Sequence, residues 1–224
     1  MRLGIIADIH GNLPALRAVL SAMPAVDLVL CAGDVVGYYP DVNEVCELLR
    51  ATGVYVIRGN HDAYVVGELA PDPARRDAYR TDWTRERLTS VNFSWLASLP
   101  LETRFRFKRT EIVIRHASPW DEETYLYPDS KKLAEIVPEI GNILIFGHTH
   151  HPLRRTVGQG LVLNPGSVGQ PRDYNQAAAY AMIDTTSFDP VFMRAAYDVS
   201  AYQRQLRDQG WDEAMIKILS RKKD

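Results

Sequence analysis

Residues 3–14 read Leu3-Gly4-Ile5-Ile6-Ala7-Asp8-Ile9-His10-Gly11-Asn12-Leu13-Pro14, an apolar run, a polar turn and a helix start in immediate succession. Leu3 to Ala7 reads as a buried strand, and Asn12 as the N-cap of a helix from Leu13 to Ala22. The pattern then repeats. Apolar runs from Leu28 to Cys31 and from Val54 to Ile57 enclose a second helical pattern from Val42 to Ala51. Such alternation predicts a βαβαβ unit with a parallel sheet and right-handed crossovers. The carboxyl ends of the three strands then share one rim, where open α/β sheets place their ligands, and Asp8, Asp34 and Asn60 follow the strands there.

Further along, the stretch between Asp62 and Pro100 is polar and helical, with arginines at 75, 76, 80, 85 and 87 interleaved with acids. It reads as a helical insertion, at about 63–100, in a single domain spanning 1–224. Beyond it the chain turns β-rich. Short strands are expected from Leu101 to Phe107, Ile112 to Arg115, Ile143 to Phe146, Leu153 to Val157, Leu161 to Asn164, Ala179 to Ile183 and Pro190 to Ala195, which imply a second sheet. Helical patterns from Ser130 to Val137 and from Ala201 to Leu219 are expected to cover outer faces, and Arg221-Lys222-Lys223-Asp224 reads as a solvated tail. The fold class is α/β, in the broader sense α+β.

Composition narrows the function classes. With 224 residues, 46% of them hydrophobic, the chain can bury one sizeable core. Its net charge of -2 gives no support for dedicated nucleic-acid or membrane-surface binding. The first strand begins right after Met1 and Arg2, which leaves no room for a signal peptide, and no run approaches transmembrane length. A cytoplasmic location is the expectation, and the oligomeric state stays open, an oligomer included. Cys31 and Cys46 belong to no CxxC pair and read as small buried hydrophobes. Arg104-Phe105-Arg106-Phe107-Lys108 reads as a solvated strand edge with one basic face.

The histidines carry the chemistry. All six fall in short clusters with Asp, Asn or Gly: Asp8-Ile9-His10, Gly59-Asn60-His61-Asp62, His116, and Gly147-His148-Thr149-His150-His151. A lone histidine is usually a satisfied core or surface residue, but five in this order, His10, His61, His116, His148 and His150, reverse that reading, and Asp8, His10, Asp34, Asn60, His116, His148 and His150 are seven side chains of the kinds that hold two divalent cations. In extended backbone, residues two apart point the same way, so Asp8 with His10 and His148 with His150 can each present a pair of ligands to one locus. Mixed carboxylate, amide and imidazole donors suit Mn first, Fe or Zn next, and Ni or Co, over Mg or Ca. His151 breaks the alternation and reads as exposed or outside the ligand set. Tyr38 and Tyr39, after Gly33-Asp34-Val35-Val36-Gly37, either line the pocket mouth and stack on a base or aryl group, or are turn and packing residues.

The order DxH, GDxxG, GNHD, a later His and GHTH, followed by Asn164-Pro165-Gly166-Ser167-Val168-Gly169, resembles the calcineurin-like metallophosphoesterase superfamily. Within it, the small bacterial and archaeal phosphodiesterases are most similar. The resemblance spans residues 3–169 and implies a four-layer sandwich of two mixed β-sheets flanked by helices. It implies that Asp8, His10 and His150 hold one metal, that Asn60, His116 and His148 hold the other, and that Asp34 bridges them. It also implies that His61 serves as general acid or transition-state donor to the leaving oxygen, with Asp62 holding its ring. Two such cations, about 3.5–4 Å apart, would share a hydroxide and aim it at phosphorus, while their surplus positive charge attracts an anionic phosphoester.

The chain departs from the pattern in two places. Protein Ser/Thr phosphatases of the superfamily carry Asp-Arg-Gly after the GD element, where this chain has Gly37-Tyr38-Tyr39. Lacking that arginine, a phosphomonoester dianion has one fewer partner, which tilts the reading toward diesters. Ala117 also stands where a Gly commonly follows the later His, here His116. The leading expectation is therefore a binuclear metal-dependent phosphodiesterase acting on small nucleotide-like or aryl diesters. Alternatives are a phosphomonoesterase or protein phosphatase, and a non-catalytic metal-binding scaffold.

Overall fold

A computed structural model describes residues 1–107, 110–136, 142–187 and 189–221. Lys108, Val137, Lys222, Lys223 and Asp224, parts of segments read above, lie outside the described residues.

The first half folds as its alternation dictates. Strands β1 (Arg2–Ile6), β2 (Leu28–Cys31) and β3 (Tyr55–Val56) pair in parallel, joined by α1 (Leu13–Ala22) and α2 (Val42–Thr52). Three helices follow: α3 (Asn60–Val66), α4 (Thr81–Arg87) and α5 (Ser90–Ser98). Then come β4 (Glu102–Phe107), β5 (Thr110–Arg115), β6 (Asn142–Ile145), β7 (Leu153–Val157), β8 (Gly160–Asn164), β9 (Ala178–Asp184) and β10 (Val191–Ala195). Helices α6 (Val199–Asp208) and α7 (Glu213–Ile218) complete the order. One five-stranded sheet runs β10-β9-β1-β2-β3, the other β4-β5-β6-β8-β7, and both mix parallel with antiparallel pairs.

Alternation along the strands builds the layers. Leu3, Ile5, Leu30 and Ile57 of the first sheet meet Ile112, Ile114, Ile143, Ile145 and Leu163 of the second in a fully buried core. On its other face the first sheet presents Ile6 and Cys31 to Leu16 and Val19 of α1 and to Val45 and Leu49 of α2, residues spaced three and four apart along one helical stripe. Outside the second sheet, Val162, Phe146 and Leu153 pack on Leu126, Leu133 and Ile136. The result is the expected sandwich of two mixed sheets flanked by helices. Each fully buried Leu or Ile removes enough apolar area to contribute about 1.5–3 kcal/mol.

Two helical expectations need correction. The pattern read from Ser130 to Val137 forms only a 3-10 turn, Lys131–Glu135. The pattern read as one helix from Ala201 to Leu219 is two, broken where Gly210 takes φ 75° and Asp212 caps α7 by accepting from Ala214 N. Nor do α6 and α7 lie on a sheet. Leu206, Trp211, Met215 and Ile216 close over Tyr38, Tyr39, Tyr64 and Tyr79.

The candidate residues collect where the topology sends them. The loops after β1, β2, β3, β5 and β6 carry Asp8 and His10, Asp34, Asn60, His116, and His148 with His150, all at the carboxyl ends of parallel strands.

Candidate metal centre

Five of the seven residues expected to hold metal sit on left-handed backbone: Asp8 (φ 54°), His10 (53°), Asp34 (57°), His148 (67°) and His150 (60°). That conformation costs an L-residue about 1–2 kcal/mol, and it persists where the surroundings over-determine it. Here the main chain does so. Asp8, Ile9, His10 and Gly11 donate N–H groups to the carbonyls of Gly33, Asp34, Asp34 and Val35 in turn. On the opposite flank Val168 and Gly169 donate to the carbonyls of Ala7 and Asp8, Ser167 Oγ donates to Asp8 O, and Asn164 Nδ2 reaches Gly147 O and Thr149 Oγ1. The 164–169 loop is thus a brace for both turns. Alternation in extended backbone does not aim these side chains, contrary to the sequence reading. Left-handed turns do, and they send His148 and His150 to different halves of the centre.

Three imidazoles share one orientation. Nδ1 of His10, His116 and His150 lies 3.1, 2.7 and 2.6 Å from the carbonyl oxygens of Val36, Ala32 and Gln170. Each ring therefore donates outward and turns Nε2 inward. His148 is reversed, with Nε2 donating to Glu123 O and Nδ1 facing Asn60 Oδ1 at 3.0 Å. One cluster joins Asp8, His10 and His150; another joins Asp34, His116 and His148; and Asp34 also groups with His10 and His61. Asp34 Oδ2 stands 3.6 Å from His10 Nε2 and 3.2 Å from His116 Nε2, which puts it between the two halves. His116 Nε2 also lies 2.9 Å from Asn60 Oδ1.

Such an arrangement fits divalent cations. All seven residues are at most 4% exposed, Asp8 Oδ2 is buried without a hydrogen-bond partner, and the Nε2 atoms of His10 and His150 approach to 3.1 Å. Inward lone pairs crowd together with two carboxylates, a donor set that a cation neutralises. Electrostatics carry the same signature. Burial raises the Asp8 carboxyl to about 7 and lowers His10 to about 4 and His148 to about 3. For His116 burial opposes the charge, but the Asp34 carboxylate prevails and raises the ring to about 9.

His61 is the second residue of α3, its N–H donating to Asp34 Oδ1 at 2.9 Å. Its ring packs against Tyr79, Tyr38 and His10 at centroid distances of 4.4, 4.7 and 4.8 Å, and burial pulls its pKa well below the usual value. A Cβ on Gly37 would lie 2.7 Å from His61 Nδ1, so only glycine admits the ring there. Asp62 does not hold that ring, in contrast to expectation. Its oxygens accept from the N–H groups of Gly59, Val35 and Val36, which ties the GNHD turn to the GD turn. Tyr38 and Tyr39 are brought to the site's flank, but at 7% and 1% exposure they offer little free face for stacking. His151 stays partly open against Tyr127, and Asn12 caps α1 through Ala15 N.

Sequence reasoning missed Arg172. Its Nη2 donates to the Tyr38 hydroxyl at 3.2 Å, its Nε and Nη2 donate to Gln170 Oε1, and its charge acts on Asp8, His10, His148 and His150. Among the described residues no carboxylate pairs with it. The signal was its place just beyond the 164–169 loop, past the end of the recognised motifs. A guanidinium at the site also removes the argument that drew a diester preference from a missing arginine.

Residues 1–187 match the calcineurin-like phosphoesterase superfamily domain. The chain belongs to that superfamily. An uncharacterized protein of Methanocaldococcus jannaschii is 32% identical, covering 92% of this chain and 93% of that protein. Phosphodiesterase YfcE of Escherichia coli is 26% identical over 82% of this chain and 88% of its own. A metallophosphoesterase from Sphaerobacter thermophilus superposes with a TM-score of 0.81 at 30% identity, covering 99% of this chain and 98% of that one. As a calcineurin-like phosphoesterase the protein is a hydrolase of a metal-dependent family. No helix among the described residues is long and apolar enough to cross a membrane.

Proposed function

We propose that this calcineurin-like phosphoesterase is a binuclear phosphodiesterase acting on small nucleotide-like or aryl diesters. The observation that carries the reading is Asp34, buried between two clusters of inward-turned imidazoles, with the unpaired Asp8 Oδ2 beside them. Asp8, His10 and His150 would hold one cation, Asn60, His116 and His148 the other, and Asp34 both. Manganese suits this donor set best, with Fe, Zn, Ni or Co as substitutes. Bound there, divalent cations supply Lewis acidity toward phosphate oxygens and a nucleophile from water near neutral pH.

The chain's own residues do the rest. Arg172 presents its guanidinium to a non-bridging phosphate oxygen, and Tyr38 and Gln170 fix its plane. His61 donates a hydrogen bond to the leaving oxygen, positioned by its packing on Gly37 and by its N–H on Asp34. Asp62 acts through the backbone, holding the two turns together. The phosphodiesterase YfcE relationship supports the diester side of the reading. The phosphomonoesterase reading keeps one observation in its favour, the added cation of Arg172. A purely non-catalytic scaffold sits poorly with a complete donor set. The proposed substrate is a small soluble phosphoester, in the cytoplasm, with no nucleic-acid or membrane partner.

The test is a manganese titration by calorimetry followed by an assay of the loaded protein on bis(p-nitrophenyl) phosphate and p-nitrophenyl phosphate. Two bound ions per chain and faster diester cleavage are expected. A single bound ion removes the binuclear reading, and faster monoester cleavage moves the assignment to a phosphomonoesterase. Arg172→Ala is expected to raise KM for the preferred ester by about tenfold, the lower range for a charge-assisted contact.

A further inference from the structure

A cleft of about 130 Å³ is lined by Asn60 and His148 together with Tyr64, Tyr79 and Tyr125. One wall is Tyr64 and Tyr79, whose rings lie 4° from parallel with centroids 6.0 Å apart. The other is Tyr125, laid on the His148 ring at 3.9 Å and stacked on Tyr127. Tyr125 and Tyr127 are 36% and 39% exposed, aromatic side chains partly open to solvent beside a buried polar centre. Tyr79 comes from the 63–100 segment, which thereby contributes to the site.

Charges at the mouth are already engaged. Asp72 pairs with Arg75 at 3.9 Å, Arg75 Nη1 reaches the Tyr79 hydroxyl, and the Tyr64 hydroxyl donates to Glu123. The cleft therefore offers flat π faces and no spare cation for a second phosphate. It lies on the side of His61, whose ring meets Tyr79 at 4.4 Å and Tyr64 at 5.6 Å.

We infer that this cleft is the leaving-group subsite and that it takes an uncharged planar aromatic alcohol, as a phenol or a nucleoside. The inference rests on the phosphoester hydrolysis proposed above. Water's oxygen joins phosphorus, the P–O bond to the alcohol breaks, and the departing oxygen leaves carrying the proton that water gave up. Stacking on Tyr125 gives the aromatic alcohol an advantage that an alkyl alcohol lacks.

Tyr125→Leu and Tyr125→Phe test it in the full chain, since Tyr125 is partly exposed and its replacement leaves the core intact. In manganese-loaded protein of matched metal content, Tyr125→Leu is expected to raise KM for bis(p-nitrophenyl) phosphate about tenfold or more relative to any change for glycerophosphoethanolamine, and Tyr125→Phe to keep the parent's aryl-to-alkyl ratio. Calorimetry on metal-free protein gives a second readout. Phenol or adenosine should bind and lose affinity in Tyr125→Leu, the tighter of the two naming the source. Equal effects on aryl and alkyl esters, or binding indifferent to the leucine, overturn the subsite. A loaded enzyme that cleaves no ester would instead overturn the hydrolysis reading, and the metal-free titration would still decide the cleft.

Discussion

At the scale of single residues, His61 and Asp62 show how neighbours in sequence divide their work. The ring of His61 lies in the site, whereas the Asp62 carboxylate accepts three main-chain N–H groups. Replacing His61 by Ala leaves every proposed ligand in place. The variant is expected to bind manganese like the parent and to lose about 10²–10⁴ in turnover, with metal content measured alongside rate. Parental turnover in a fully loaded variant would end the donor role. The ligand-type residues were legible because Asp, Asn and His recur next to glycines. The means of aiming them was not, because positive φ at five of them comes from main-chain hydrogen bonds between segments far apart in sequence. Arg172 was not legible for a similar reason, since its partners Tyr38 and Gln170 belong to different loops.

At the scale of elements, the first sixty residues match their local pattern: α1 and β2 fall at the expected residues, and no other end shifts by more than one. Local periodicity suffices there because each strand and helix buries one regular face. It fails at 209–212, where Gly210 and the Asp212 cap outweigh a continuous apolar pattern. Tyr38 and Tyr39 lost their place as stacking residues because α6 and α7 cover them, a long-range contact that no local window contains. The junction of the second and third motifs is tight enough to test. A Cβ on Gly59 would stand 2.1 Å from Asp34 Oδ1 and 2.4 Å from Asp34 N. Gly59→Ala should displace Asp34 and weaken manganese binding by about 10–100-fold, read by calorimetry. Parental affinity would show that the turn has slack.

For the molecule as a whole, the metal-free protein has a pH dependence set by the centre itself. His116 rises from 6.5 to about 9 in the folded state, largely through Asp34 acting against burial. Its contribution is present in full below 6.5 and is lost as pH climbs through about 9. Below that window Asp8, raised to about 7, and His10, lowered to about 4, pull in opposite directions. Melting temperature of the metal-free protein should therefore fall between neutral pH and about 9, and manganese should abolish the fall by replacing the proton. A flat metal-free profile there would sink the claim. Both sheets converge on this centre, so its charge balance is shared by the whole sandwich.

Trp211 ties the C-terminal helices to that centre. Its indole Nε1 donates to Tyr38 O at 2.7 Å, with Trp83 edge-on at 4.9 Å and the Arg80 guanidinium 4.8 Å from its ring. Tyr38 in turn touches the rings of His10 and His61. The molecule thus carries a native optical probe one residue removed from the candidate metal centre. Loading with a closed-shell ion such as zinc should change tryptophan emission in the parent and leave it unmoved in Trp211→Phe, which would make occupancy readable without dye or substrate.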